Sequence, residues 1–446
     1  MSSTSRLSSV AVFVLAFAAL HPTTADAASL TVGPLQSLNA AASELTSDSA
    51  YGLAVAANDD WAFVGAPGNN KVYVFRHVGT AWQLQSLALV GTSGDDFGFS
   101  LALSGDRLLV GAPGNAVDKG VVYAYQRNAS NVWAADGVIA ASDRASNEKA
   151  RFGTAVAISG TKALIGAPND DHSQVGTDND FGAAYGYTRG TSWGSEQKFL
   201  GLLPAGDSYA ANANYGNTVA LDGDKAMVGT KAQATTNSSW GGAAVHAFAP
   251  SGAGGAGVLL TPGSPALPGD DFGTAIAMDG NWALIGSPAS DSSQGAVYAY
   301  EFVSTQWTFR QRFQSDASTE TGWFGAGVAL SGTRAVVAAR FGGADEAGRA
   351  HVYSRTGSSW QKQLPTLASS VPGSSNFASG SLAISGSALV IGQDNVPAAF
   401  VATVAAAPDA KGLPVLGARG PALLTALLGL CGVLSLRRRR AASALR

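Results

Sequence analysis

An aromatic-glycine step punctuates most of this chain. It stands at Tyr51-Gly52, Phe97-Gly98, Phe152-Gly153, Tyr215-Gly216, Phe272-Gly273 and Phe324-Gly325, and a seventh copy reads Phe377-Ala378. Successive spacings are 46, 55, 63, 57, 52 and 53 residues. After each step comes an alternating apolar run, a Ser-Gly-type turn, a second apolar run ending near Gly-Ala-Pro, and then Val-Tyr-x-Tyr. The clearest copy runs from Asp95 to Arg127. A period near fifty built only from strand signals predicts one supersecondary unit repeated, as in a propeller or an array.

Each copy reads as four strands. In the second, Phe99 to Leu103 alternates and ends at Ser104-Gly105-Asp106, a hairpin turn signal. Arg107 to Val110 follows and is apolar on both faces, as a strand between two neighbours should be. Pro113 breaks it, because proline cannot donate to a ladder. Val121 to Tyr125 makes the third strand, and Trp133 opens the fourth. That tryptophan recurs as Trp82, Trp193, Trp307 and Trp360. The last copy ends at Ala398 to Val404 with no fourth strand after it, whereas Gly33 to Leu38 near the N-terminus resembles Trp82 to Leu87. A ring closed by an N-terminal strand explains the offset and removes exposed sheet edges. The expected architecture is an all-β, seven-bladed propeller over residues 28–404.

Phe-Gly and Gly-Ala-Pro at these positions resemble the FG-GAP repeats of integrin α-subunit propellers and their bacterial relatives, over roughly residues 33–404. The third elements of copies four, six and seven depart from the pattern, at Gly229-Thr230-Lys231, Ala338-Ala339-Arg340 and Gly392-Gln393-Asp394. The resemblance implies calcium held by Asp-x-Asn-x-Asp-Gly loops between the first two strands. This chain has only tight turns there, such as Ser104-Gly105-Asp106-Arg107 and Asp279-Gly280-Asn281-Trp282. Such turns cannot supply the six to eight oxygens calcium takes, so calcium is not expected in the family's usual place, and no cofactor is expected.

The two ends read differently. Arg6, the apolar run Val10–Leu20 and Ala25-Asp26-Ala27 form the three regions of a secretory signal peptide, residues 1–27. Residues 405–412 read as a linker. In the tail, 413–446, the stretch Gly420–Leu436 is at the short limit for spanning a bilayer, and Arg437–Arg440 mark a cytoplasmic side. With Leu413-Pro414-Val415-Leu416 before it, this tail resembles the short sorting tails of Gram-negative bacteria that open Ile-Pro-Thr-Leu, which implies a membrane contact through the tail or release after processing. The expected location is therefore the cell surface, the outer envelope or the exterior. Residues 28–411 carry 21 Lys+Arg and 30 Asp+Glu, a balance of −9, which argues against a nucleic-acid partner. Cys431 is the single cysteine, so no disulfide framework exists.

In a propeller, the loops entering the first strands and those joining second to third strands emerge together. They collect acidic residues here, and Asp95, Asp96, Asp170, Asp171, Asp178, Asp180, Asp270 and Asp271 are the candidate ligand-binding set. The insertion Asn169–Gly182 adds His172, so Asp170, Asp171, His172, Asp178 and Asp180 are also metal-ligand candidates, though in no established spacing. Trp240 falls in a second insertion and is expected in a polar loop, where it could stack on a sugar, anchor a protein or bury itself against the neighbouring blade. Catalytic signals are thin: His246 and His351 fall inside the third-strand motif and read as structural. Gly252-x-Gly254-x-x-Gly257 lies in a turn between strands without the βαβ context of a dinucleotide site. The sequence thus points to a non-catalytic binding or adhesion module with a protein or glycan partner at the cell surface. A surface enzyme acting on polysaccharide and a structural envelope component are the alternatives.

Overall fold

The computed structural model describes residues 30–406, apart from 41–44, 46, 87, 144–148, 172–179, 202–212, 236–237, 248–257, 261–269, 316–321, 344–345, 370–376 and 394–397. The expected signal peptide and sorting tail, and with them His172, Asp178 and the Gly252–Gly257 pattern, lie outside the described residues. Among the described residues no helix is long and apolar enough to cross a membrane. The chain divides after Ala405, and the fold below is that of the first unit.

Alternation and turn chemistry produce the same object in every copy, and in the first, second, third and fifth a proline follows the second strand. In the second, Ser100–Ser104 pairs with Arg107–Ala112, that strand with Val121–Arg127, and that one with Trp133–Ile139, all antiparallel. The inner two strands meet through the Ser104-Gly105-Asp106 turn, and the second strand ends at Ala112, just before Pro113. The described strands pair into seven such sheets. Their first strands are Val55–Ala57, Ser100–Ser104, Ala155–Ser159, Thr218–Asp222, Ala275–Asp279, Phe324–Ser331 and Phe377–Ser385. Each lies against the next around a common axis, and the last lies against the first. The chain is an all-β propeller.

The N-terminal segment closes the ring, and it does so from further upstream than the Gly33–Leu38 likeness suggested. Leu30–Val32 already pairs with Ala398–Ala406, and Gln36 and Ser37 pair with Val401 and Phe400 of the same strand. Tyr51 Oη then donates to the Leu38 carbonyl at 2.7 Å, pinning the closing segment to the first aromatic-glycine step.

The aromatic-glycine step proves to be the joint between sheets. All seven aromatic rings are buried. Phe97, Phe152 and Phe272 each meet the first tyrosine of their own third strand edge-on, at 5.2, 5.4 and 5.3 Å between centroids. His351 occupies that tyrosine's place in the sixth sheet and meets Phe324 at 5.4 Å, which makes it a packing residue as expected. The glycine after the aromatic turns the chain at φ +93 for Gly153, a value a side chain rarely adopts. Its carbonyl then abuts Gly111, in the Gly-Ala-Pro of the preceding sheet, so closely that a Cβ on Gly111 would overlap it. The same glycine-on-glycine approach joins Gly65 to Gly98, Gly166 to Gly216, Gly229 to Gly273, Gly286 to Gly325 and, across the closure, Gly392 to Gly52.

One placement differs from the sequence reading. Trp240 does not stand in a loop: Lys225–Thr235 and Ser238–Ala247 run on as a long hairpin in which Trp240 pairs with Gln233. The insertion extended two existing strands instead of making an irregular loop, because backbone pairing satisfies polar main-chain groups that a long loop would leave to solvent.

Candidate functional site

The loops entering first strands do meet those joining second to third strands. Gly114 N–H donates to the Asp95 carbonyl at 3.1 Å, Arg151 N–H to that of Asp118 at 2.7 Å, and Trp323 N–H to that of Ser293 at 3.1 Å. The acids on this face divide into two kinds. Asp95 is buried, and its Oδ2 accepts from Asn115 Nδ2 at 2.8 Å and Tyr123 Oη at 3.2 Å. Asp171 is also buried and accepts the Asp180 N–H at 2.8 Å, drawing the two ends of the insertion together. Asp170 is completely buried; Lys198 Nζ donates to it at 2.8 Å and Tyr185 Oη does likewise. These three carboxylates are loop braces and do not present themselves to solvent, because a carboxylate withdrawn from water must have its oxygens occupied.

The others are more open. Asp96, with 42% of its side chain exposed, lies 3.6 Å from Arg151, which also holds Asp118 at 2.8 Å. Asp270 and Asp271 are half-buried, and their carbonyls accept from Ser287 Oγ at 2.8 Å and Thr274 Oγ1 at 2.7 Å. Asp96, Asp180 and Asp271 all have positive φ (56, 48 and 53), so these acids also serve the turn, since Asp tolerates the left-handed region. Among the described residues no group of three or more His, Cys, Asp or Glu is arranged to hold a metal ion. Beside Asp170 the cation position is filled by the Lys198 ammonium.

Two constellations escaped the sequence reading. Lys198 bridges Asp170 and Asp143, at 2.8 and 2.7 Å, and sits 5.1 Å over the Tyr185 ring. Burial, and then the charge of Asp170, holds the Tyr185 hydroxyl far above its ordinary range, so it remains a donor. Arg312 repeats the arrangement two sheets on, with Asp291 and 5.6 Å over Tyr298. The available signal was a cation 13 or 14 residues after the first tyrosine of the third strand. The second constellation is aromatic. Trp323, in the loop entering the sixth sheet, is exposed and meets Phe341 edge-on at 5.5 Å. Arg340 lies 5.4 Å from the Phe341 ring.

Along the axis the first strands enclose a cavity of about 450 Å³ toward their turn ends and one of about 230 Å³ toward the loop face. The lining combines small and branched apolar residues such as Val55, Leu101, Val156, Ile276, Val328 and Leu382 with Asn58, Ser104, Ser331, Ser385 and backbone groups. Among the described residues Asp279 is the one ionisable residue in either lining, and its carboxylate accepts the Gly332 N–H.

The architecture is shared with solved enzymes at low identity. A streptogramin B lyase structure aligns with a TM-score of 0.50 and 9% identity, covering 84% of this chain and 98% of that one. The periplasmic gluconolactonase PpgL of Pseudomonas aeruginosa aligns with a TM-score of 0.51 and 14% identity, covering 77% and 91%. These likenesses establish the fold alone. No curated protein matches the chain. At sequence level, residues 87–125, 133–187 and 260–300 match the FG-GAP repeat family, and in those three stretches this propeller is similar to it.

Proposed function

We propose that this protein is an exported, non-catalytic binding or adhesion module that recognises a protein or glycan through the loop face of a seven-bladed propeller. The observation that carries the reading is the axial cavity, the place where a propeller has room for a small substrate. General acid–base chemistry needs positioned titratable groups within hydrogen-bond reach of a substrate. Here the lining is aliphatic side chains, serines, Asn58 and backbone groups, and its one carboxylate among the described residues, Asp279, is spent on a backbone N–H. The loop face, by contrast, presents exposed charged and aromatic groups on loops fixed by a closed ring, the usual setting of a binding surface. Export to the cell surface or exterior rests on the sequence of residues 1–27 and 413–446.

The test is binding of purified residues 28–411 to panels of glycans and envelope proteins, with calcium and with chelator. Saturable binding to one class supports the module. A folded protein that binds nothing but turns over a polysaccharide or lactone overturns it in favour of an enzyme, the second reading, which the fold likeness to a lyase and a gluconolactonase favours.

A further inference from the structure

The residue just before each aromatic-glycine step is held in the left-handed region: φ is 48 at Ala50, 56 at Asp96, 52 at Arg151, 50 at Asn214, 53 at Asp271 and 51 at Trp323. Asp and Asn accept this conformation through local hydrogen bonds, whereas a bulky aromatic there is an outlier. Trp323 therefore answers no demand of the backbone. Nor does it fill the core, since its side chain is exposed at the loop face. Strain of this kind persists where the side chain serves a function.

Its surroundings say what the function is. Phe341 supports the indole edge-on at 5.5 Å, with Arg340 over the Phe341 ring. The Trp323 N–H is anchored on Ser293, and Gly295 bridges to Phe324, so the Ser290–Gln294 loop of the fifth sheet lies alongside. That loop carries Asp291, 43% exposed, whose carboxylate is oriented by Arg312 and Gln314. The exposed part of the indole, 36% of the residue's surface, offers apolar area to the C–H face of a pyranose ring, and an oriented carboxylate, guanidinium and amide match its hydroxyls. A protein partner would instead need about 800 Å² of contact surface on each side, and this platform is two rings among polar loops.

We propose that Trp323, Phe341 and Asp291 form a glycan-binding subsite, at the seam between the fifth and sixth sheets. The inference rests on the binding-module reading and narrows it to one ligand class and one place. Trp323 supplies the stacking platform, Phe341 holds the indole upright, and Asp291 accepts from sugar hydroxyls.

The test uses the full chain against defined oligosaccharides of glucose, galactose, N-acetylglucosamine and uronic acid units, followed by titration of the tightest. Trp323→Asn installs a residue suited to this φ. It is expected to weaken binding at least tenfold and to leave the melting temperature unchanged or higher. Asp291→Asn and Phe341→Leu, each folded by the same melting assay, are expected to weaken it several-fold. An oligosaccharide bound equally well by Trp323→Asn overturns the subsite and leaves the module reading standing. Binding to envelope proteins but to no saccharide overturns the glycan assignment alone. Binding to neither panel overturns both.

Discussion

Gly111→Ala is the perturbation that most directly tests how this ring is held together. Gly111 lies in a regular strand, so alanine there meets no backbone objection. The objection is steric: the new Cβ would overlap the Gly153 carbonyl oxygen and the Ser100 hydroxyl, and would sit 3.1 Å from the Gly153 carbonyl carbon. Relief requires the second and third sheets to part by about 1 Å. The closed ring resists this, because each sheet is clamped on both sides. Overpacking of this kind costs about 3 kcal/mol. At about 2.1 cal/mol/K per residue, a unit of this size has an unfolding entropy near 0.8 kcal/mol/K, so the melting temperature should fall by about 4 °C. Gly105→Ala is the control. Gly105 has φ +59 and open space where its Cβ would stand, so only the backbone cost applies, about 1 kcal/mol or a little over 1 °C. Differential scanning calorimetry of both variants decides the matter. If Gly111→Ala melts within 1 °C of the parent, or above Gly105→Ala, the glycine seam does not bear the packing described here.

Other consequences follow from the same contacts. Asp170→Ala strands part of the Lys198 and Tyr185 pairing; with Asp143 still holding Lys198, the loss should be about 2–3 kcal/mol in denaturant melts, and wild-type stability would show Asp170 to be no brace. The Asp136 carboxyl is held below its ordinary range by hydrogen bonds from Arg189, at 2.6 and 2.9 Å. A lowered folded value stabilises above the unfolded value, near about 3.9, and is lost as pH falls through the lower folded one. Asp136→Asn should therefore reduce stability at neutral pH and flatten the acid limb of a melting profile below about pH 4. Burial, and then Tyr123, pushes the Tyr125 hydroxyl up to about 12, so its contribution is intact below pH 10 and lost as pH rises toward 12. Tyr125→Phe should melt at higher temperature than the parent in that alkaline window, and an identical slope would refute the assignment. Deleting residues 30–38 uncovers the Ala398–Ala406 edge and should produce edge-to-edge association, visible by light scattering; a deleted chain that stays monomeric at parental stability would refute closure by this segment.

Much of the fold was legible because its signals are local. The alternation of Phe99–Leu103, the Ser104-Gly105-Asp106 turn and the stop at Pro113 each act within a few residues, and each produced the element expected. The site was less legible. Asp95 and Asp96 are adjacent acids in sequence, yet one is buried on Asn115 and Tyr123 while the other is open beside Arg151. The difference lies in which neighbours the loop brings near, and composition carries no trace of it. Lys198 was overlooked because its two carboxylates come from residues 143 and 170, in separate loops. Trp240 was misplaced because Gly, Ser and Thr around it resemble a loop, whereas register with Gln233 made a strand.

The repeat departures show the division most sharply. In sequence, Phe377-Ala378 and Ala338-Ala339-Arg340 look like two independent lapses from the pattern, forty residues apart. In the structure, Ala338 and Ala378 are buried in one cluster where the sixth sheet meets the seventh, at the positions that glycines occupy in the other seams. The sequence by itself determined the repeating four-strand unit, its turns and its aromatic-glycine joint, because period-two patterning and turn chemistry act on neighbouring residues. Only the tertiary structure decided which departures are coupled, which acids are braces, and that Trp323 stands open at a seam, because those outcomes depend on surfaces that exist only once one sheet has packed against the next.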